Sequence, residues 1–333
     1  MERYDRQIKY AHFGQQGQQK LRNLRVIVMG VGALGSGVAE QLVRSGVGHI
    51  TLVDKDIVTM SNLHRQSCYV TADAESMLPK VIALQQHLIA INPDVKITTY
   101  NEEVTAQNII NILEQVKPDI VLDGMDTFEM RFLLNEATRK LQIPYIYGAV
   151  VGSQVSVLPI HGEGPCLHCI LPEVPKTMER CEINGVLPPA VHMACSLIVA
   201  EVFRYLMHGH FTSKMTTIDI HTLKMRTVDV TALKESECTV CGQGQYRRLS
   251  YDDVDHIREL CGGVFQIRLP QEAFDATLHS NITVGIANQY VKRLMKDDYD
   301  MTLYQDGRLL IYGASSAEEA ENVRDQLFVA HDD

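Results

Sequence analysis

Residues 24–44 read LRVIVMGVGALGSGVAEQLVR: a β-branched apolar run from Leu24 to Met29, glycines at 30, 32 and 35, and an amphipathic stretch from Ala33 to Arg44. The run predicts a strand, the glycines a tight turn, and the helical spacing that follows a helix. The same alternation continues outward, with strand His49 to Val53, helix Pro79 to Ile91, strand Lys96 to Tyr100, helix Thr105 to Val116, strand Asp119 to Asp123 and helix Phe128 to Leu141. Strands separated by helices pair in parallel, so the expected class is α/β, a doubly wound, Rossmann-like, mostly parallel sheet.

The character changes after Pro144. Tyr145 to Ile160 holds two strand-like runs broken by Val151-Gly152-Ser153 with no helix between them, which predicts antiparallel strands extending the sheet. Residues 162–187 read as a long loop rich in Gly, Pro and Cys, followed by a helix from about Pro189 to Met207 and strands Thr216 to His221 and Lys224 to Val230. Long loops in compact domains are usually functional. A glycine-rich link at Gly242 to Gln245 sets the domain boundary: residues 1–245 form the main body and residues 246–333 a small α+β module. Within the module the expected elements are strand Val264 to Leu269, helix Ile286 to Lys296, a type I′ hairpin at Asp306-Gly307 and helix Ala317 to Val329.

The chain's 333 residues can bury a sizeable core, and its 45% hydrophobic and 22% charged composition is that of a folded protein throughout. A formal charge of −10 argues against general nucleic-acid binding, which needs clustered Lys and Arg to displace counterions. The most apolar stretch, Val186 to Met207, carries Pro188, Pro189, His192, Glu201 and Arg204, so it is expected to be a core or interface helix and not a membrane span. Met1 to Lys9 is too polar for a signal peptide, and the expected location is the cytoplasm.

The glycine turn, Gly30-Val31-Gly32-Ala33-Leu34-Gly35, brings helix amides close to a phosphate, and Asp54 at the end of the second strand can accept hydrogen bonds from ribose hydroxyls. These two features fit NAD as well as ATP, so an NAD(H)-dependent oxidoreductase stays open as the alternative. The following run departs from it: Asp54-Lys55-Asp56-Ile57-Val58-Thr59-Met60-Ser61-Asn62-Leu63-His64-Arg65-Gln66, with Lys80 on the next helix. A nicotinamide needs a neutral face, whereas a triphosphate needs several cations and donors, usually with magnesium (Mg²⁺). Asn62, Arg65 and Lys80 supply the second kind of site. Asp126 falls just after the fourth strand of the alternation, at the carboxyl edge where open α/β sheets bind ligands, and suits Mg²⁺; Asp123, within the strand, reads better as a turn or capping residue.

Cys166-Leu167-His168-Cys169 and Cys238-Thr239-Val240-Cys241 are two CxxC pairs, each able to present two thiolates to one tetrahedral ion. Together they predict a structural zinc (Zn²⁺) site with no position open for water. Cys68, Cys195 and Cys261 read as structural.

These residues resemble the ThiF/MoeB family of sulfur-carrier protein adenylyltransferases, within the superfamily of ubiquitin-activating enzymes. The likeness runs from about residue 2 to 241. It rests on Arg3-Tyr4-Asp5-Arg6-Gln7, Gly30/Gly32/Gly35, Asp54-x-Asp56 through Ser61-Asn62-Leu63-x-Arg65-Gln66, Pro79-Lys80, Asp126 and the paired CxxC motifs. The resemblance implies that ATP is the substrate, that Asp54 and Asp56 belong to the nucleotide site with Asp54 on the ribose, that Asn62, Arg65 and Lys80 contact phosphates, and that Asp126 holds Mg²⁺. It implies a homodimer in which Arg6 resembles the family arginine that reaches into the neighbouring subunit's ATP site. It also implies a reaction, adenylation of the C-terminal Gly-Gly carboxylate of a ubiquitin-like sulfur carrier for thiamine thiazole or molybdopterin synthesis, with a cysteine desulfurase as a partner. Cys181 resembles the loop cysteine that links covalently to the carrier during sulfur transfer. The carboxylate nucleophile is already ionised at neutral pH, which agrees with the lack of a recognisable catalytic base in the chain.

Overall fold

The computed structural model describes residues 2–162, 164–172, 185–250, 257–260 and 262–329. The chain divides into two compact units, Met1–Glu75 with Pro79–Asp252, and Ser76–Leu78 with Asp253–Asp333.

The first unit is built on β1 (Arg25–Met29), β2 (His49–Val53), β3 (Lys96–Tyr100), β4 (Ile120–Asp123), β5 (Tyr145–Val151), β6 (Gln154–Ile160), β7 (Lys214–Asp219) and β8 (Lys224–Asp229), in the order β3-β2-β1-β4-β5-β6-β7-β8. The first five pair in parallel and the last three add in antiparallel fashion. β1 and β4 are buried almost end to end, as strands covered on both faces must be. Chain order reverses between them, so their carboxyl ends open the crevice in which doubly wound folds bind ligands.

The helices are α1 (Asp5–Ile8), α2 (Gly14–Asn23), α3 (Ala33–Ser45), α4 (Thr71–Glu75), α5 (Lys80–Ile91), α6 (Ile109–Val116), α7 (Phe128–Leu141), α8 (Leu167–Ile170) and α9 (Pro188–His208). α6 starts four residues later than its apolar spacing predicts. A single helix-like turn precedes it: the Ile109 N–H bonds to the Thr105 carbonyl at 3.1 Å, while the Asn108 side chain reaches back to accept the Thr105 N–H at 2.8 Å and donates to the Glu103 carbonyl. α9 is the one helix among the described residues long and apolar enough to cross a membrane, yet its Ala194, Cys195, Ile198 and Val202 are buried and it packs on α3, β5 and β6.

The second unit is a six-stranded antiparallel sheet, order β11-β12-β13-β14-β10-β9, with β9 (Ile257–Leu260), β10 (Val264–Arg268), β11 (Thr283–Ala287), β12 (Val291–Lys296), β13 (Tyr299–Tyr304) and β14 (Arg308–Tyr312). α10 (Ala317–Asp325), capped by Ser316, packs Ala320 and Val323 against Phe265, Ile267, Leu303 and Ile311. The helix expected over Ile286 to Lys296 does not form. The Asn288 side chain accepts the Tyr290 and Val291 N–H groups in a turn, and Val291 to Lys296 pairs residue for residue with β13. The hairpin at Asp306-Gly307 also differs from expectation: Gly307 alone takes a positive φ (83°) and its N–H returns to the Tyr304 carbonyl, so the connection is a three-residue turn with a glycine bulge instead of type I′.

Candidate active site

The phosphate-type turn separates its glycines by task. Gly30 has φ +82° and a Cβ there would lie 2.7 Å from the Gly124 carbonyl oxygen, while a Cβ on Gly35 would lie 1.9 Å from the Gly30 oxygen. Both are demanded by the close approach of β1, α3 and the loop after β4. Gly32, the N-cap of α3, has φ −71°, and the nearest atom to a Cβ there would be Gln66 Nε2 at 3.7 Å. Its bare Cα keeps open a cradle at the amino end of a 13-residue helix, where exposed amides and the helix dipole favour an anion.

Asp54 leaves β2 beside this turn. Its Oδ2 accepts the Val31 N–H and its Oδ1 the Asp56 N–H, each at 2.8 Å, so one carboxylate ties the phosphate turn to the next loop while keeping acceptor capacity on both oxygens. Burial raises its pKa and Lys80 opposes that. Lys80, 7% exposed, sits with Nζ 3.1 Å from Asp56 Oδ2, and its backbone N–H is anchored on the Asp56 carbonyl. Burial alone would lower its pKa, but Asp56, Asp54 and Asp126 together raise it above the usual lysine value, so the site carries a fixed cation. Tyr69 completes this cluster: its buried hydroxyl donates to the Val31 carbonyl at 2.7 Å and lies 3.3 Å from the Lys80 carbonyl. Sequence reading passed it over, because nothing about an isolated tyrosine in a polar stretch signals a bond to a residue 38 positions away.

Asn62 ends a short 3₁₀ turn over Met60–Asn62, and its carbonyl accepts the Arg65 and Gln66 N–H groups. Arg65 is half-buried with Nη1 on the Ser61 carbonyl at 3.0 Å. Asp126 is exposed at the carboxyl edge of β4, close enough to Lys80 to contribute to its charge. An exposed carboxylate oxygen is the hard donor that Mg²⁺ takes, and its loop is held from below. Asp123, 1% exposed, accepts the Tyr145 hydroxyl at 2.6 Å and the Met125 N–H at 2.9 Å, and lies 3.5 Å from Arg131 Nε. Arg131 in turn donates to the Met125 carbonyl at 2.7 Å. Arg131 and Tyr145 are further residues the sequence left unmarked; the one available signal was a cation flanked by the apolar Met130, Phe132, Leu133 and Leu134.

The Arg3–Gln7 arm lies at the opposite edge of the sheet. Arg3 donates to the Ile91 carbonyl at 2.7 Å, the Tyr4 hydroxyl accepts from Asn92 at 2.8 Å, and Gln7 donates to the Ser45 carbonyl at 3.0 Å. These are the carboxyl ends of α5 and α3. At 1.5 Å per residue, α3 separates Ser45 from Gly32 by about 20 Å, so the exposed Arg6 is anchored far from the nucleotide cradle of its own chain.

Cys166, Cys169, Cys238 and Cys241 converge, with all four sulfurs within 4.8 Å of one another. The sulfur–sulfur distances of 4.0, 3.7 and 3.4 Å bracket the edge of about 3.8 Å that a tetrahedron of 2.3 Å zinc–sulfur bonds requires. Burial, with the Cys169 and Cys238 sulfurs adding to it, pushes the Cys166 thiol up to about 11, so four thiols this close need a cation to ionise together. Cys181 and Cys261 lie outside the described residues. Cys195 is buried with Sγ 3.3 Å from the Leu34 carbonyl, a packing contact between α9 and α3.

The sequence pattern of the ThiF family matches residues 4–240. Among curated relatives, a sulfur carrier protein ThiS adenylyltransferase of Bacillus subtilis is 34% identical over 329 residues, covering 96% of this chain and 97% of its own length, so the match runs through most of the second unit. A sulfur carrier protein adenylyltransferase of Thermus thermophilus is 34% identical over 259 residues, covering 74% of this chain and 93% of its own length. Among solved structures, E. coli MccB with ATP superposes with a TM-score of 0.60 at 22% identity, covering 72% of this chain and 74% of that one, a likeness of fold.

Proposed function

The chain belongs to the ThiF family, and from that premise we propose that it spends ATP to adenylate the C-terminal glycine carboxylate of a ubiquitin-like sulfur-carrier protein, releasing pyrophosphate. The observation that carries this reading is the open cradle at Gly32 bounded by Asp54, the Asp56–Lys80 pair and Asp126. Asp54 takes the ribose hydroxyls on its two remaining acceptor positions. Lys80, Arg65 and Asn62 orient the phosphates so that the carrier's carboxylate attacks the α-phosphorus in line with the departing pyrophosphate. Bound Mg²⁺, held by Asp126, supplies charge neutralisation at the reacting phosphates. A carboxylate of pKa about 3.5 is already the nucleophile, so no residue has to remove a proton. A nicotinamide half-site has no use for this set of charges.

Arg6 enters the reaction from a second copy of the chain. The arm that carries it is anchored on Ser45, about 20 Å along α3 from the cradle at Gly32, so a homodimer is the arrangement in which it reaches a triphosphate. Half-buried Phe203 and Met207 of α9 line a hollow together with Gln7 of the arm and Tyr10, an apolar surface beside the arm that supports such an interface. The reaction belongs in the cytoplasm, where free thiols persist. Of the two pathways, thiamine thiazole synthesis is the first candidate, because the Bacillus relative named for ThiS matches nearly the whole chain.

ATP–pyrophosphate exchange with Mg²⁺, run with purified carriers ending in Gly-Gly from the thiamine and molybdopterin pathways, tests this. Exchange that depends on the thiamine carrier is expected. Absence of exchange with either carrier, together with thermal stabilisation by NADH and indifference to ATP, would overturn the reading in favour of a dehydrogenase.

Zinc holds the two CxxC segments together. Metal analysis is expected to find one zinc per chain, and Cys238→Ser to lose it together with about 4 kcal/mol of stability, a fall of about 10 °C in Tm at about 2–4 °C per kcal/mol. Cys181 acts after adenylation: Cys181→Ser is expected to keep the wild-type exchange rate and to lower transfer of sulfur from a cysteine desulfurase to the carrier. Equal sulfur loading by the two proteins would remove Cys181 from the pathway.

A further inference from the structure

Gln66 follows the 3₁₀ turn that carries Asn62, and its backbone N–H is bonded to the Asn62 carbonyl at 3.1 Å. The side chain is 6% exposed and turns inward. Its Oε1 is fully enclosed and has no hydrogen-bond partner among the described residues. Its Nε2 is the nearest atom to the point where a Cβ on Gly32 would sit, at 3.7 Å. Turning the amide over exchanges the two atoms and leaves the same tally: one polar end over Gly32, the other without a partner.

A buried amide with an unmet acceptor costs the fold free energy, and an apolar side chain of the same length would not. Such a group is retained where a ligand completes it. The open ground in front of it is the cradle at the amino end of α3, already supplied with free helix amides. We infer that Gln66 is a nucleotide-contacting residue, donating from its amide nitrogen to a phosphate oxygen over Gly32 while its carbonyl receives a hydroxyl or water brought in with the nucleotide. This rests on ATP being the ligand of the cradle. Gln66 thereby adds a neutral donor beside the helix amides at Gly32, at a place where a further positive charge would hold pyrophosphate after the reaction.

The test is a pair of variants, Gln66→Met, which keeps the length and removes both polar atoms, and Gln66→Glu, which keeps the shape and replaces the donor by a charge of the wrong sign. Each is read by its Tm without ligand, by the Tm shift with ATP and Mg²⁺, and by kcat/KM for ATP in carrier-dependent exchange. Gln66→Met is expected to melt no lower than wild type without ligand, since an unmet acceptor has been removed, yet to lose about 10–100-fold in kcat/KM for ATP, the worth of one hydrogen bond to a charged group. Gln66→Glu is expected to lose more and to show no ATP-induced shift. If Gln66→Met fails to fold, Gln66→Glu decides. An unchanged ATP-induced shift and unchanged kcat/KM in the folded variants would overturn the assignment, whatever their Tm. A wild-type protein that is stabilised by ATP but exchanges with no carrier would sink the proposed reaction and leave Gln66 to be judged by the thermal shift alone.

Discussion

Replacing Asp126 by alanine is expected to slow ATP–pyrophosphate exchange by about 10³-fold while moving the Tm by no more than about 2 °C. The two halves of that expectation have separate causes. Asp126 is exposed, and among the described residues its side chain carries none of the bonds that shape its loop: Met125 is held by the Asp123 carboxylate through its N–H and by Arg131 through its carbonyl, and Thr127 caps α7 by accepting the Met130 N–H. The loop therefore keeps its form without the carboxylate. Removing the carboxylate takes away the hard oxygen donor proposed for Mg²⁺ at the reacting phosphates and one of the three acids that favour the Lys80 cation. A 10³-fold loss corresponds to about 4 kcal/mol of transition-state stabilisation, a reasonable loss for a metal clamp on a transferring phosphoryl group. Exchange kinetics and circular-dichroism melting measured on the same preparation check both halves. Wild-type exchange in the variant would remove Asp126 from the mechanism, and a large fall in Tm would show that its role lies in the fold.

Arg6→Ala is expected to lower exchange by about 10³-fold as well, and the loss is expected to be repaired in trans. The arm is pinned through Arg3, Tyr4 and Gln7 to the carboxyl ends of α5 and α3, so the substitution leaves its anchors intact. A chain lacking Arg6 still has a whole cradle, and a chain lacking Asp126 still has its arm. When Arg6→Ala and Asp126→Ala proteins exchange subunits, half of the dimers are mixed, and each mixed dimer contains one site assembled from an intact cradle and an intact arm. About a quarter of wild-type activity should return. Two inactive proteins that stay inactive after subunit exchange has been demonstrated would leave Arg6 with no part in a neighbour's site.

The legible parts of this protein were those whose cause is local. The strand-turn-helix at Leu24 to Arg44 could be read because glycine at 30 and 35 answers a backbone demand and β-branched residues prefer the pleated strand. The two CxxC pairs could be read because a three-residue spacing already points two sulfurs the same way. Asp54 could be read because its place at a strand end follows from the strand itself.

Misreadings arose where a distant partner settles the local choice. Val291 to Lys296 has residues that suit a helix, yet it pairs with β13 along its whole length, and those cross-strand bonds outweigh a weak local preference.

By itself, then, the sequence determined the doubly wound sheet with its antiparallel extension, the phosphate-type turn and the paired cysteines of the four-sulfur cluster, since each follows from contiguous residues and short covalent spacings. Only the tertiary structure decided that Cys166 meets Cys238 across 72 positions, that Tyr69 bonds the turn at Val31, that Arg131 braces the Asp126 loop, that Gln66 waits over Gly32 and that Arg6 stands at the far edge of the sheet. The physical reason is the range of the forces involved: backbone preference acts within a few residues, whereas the partner of a buried polar group is chosen by packing, which brings together side chains that the chain itself holds far apart.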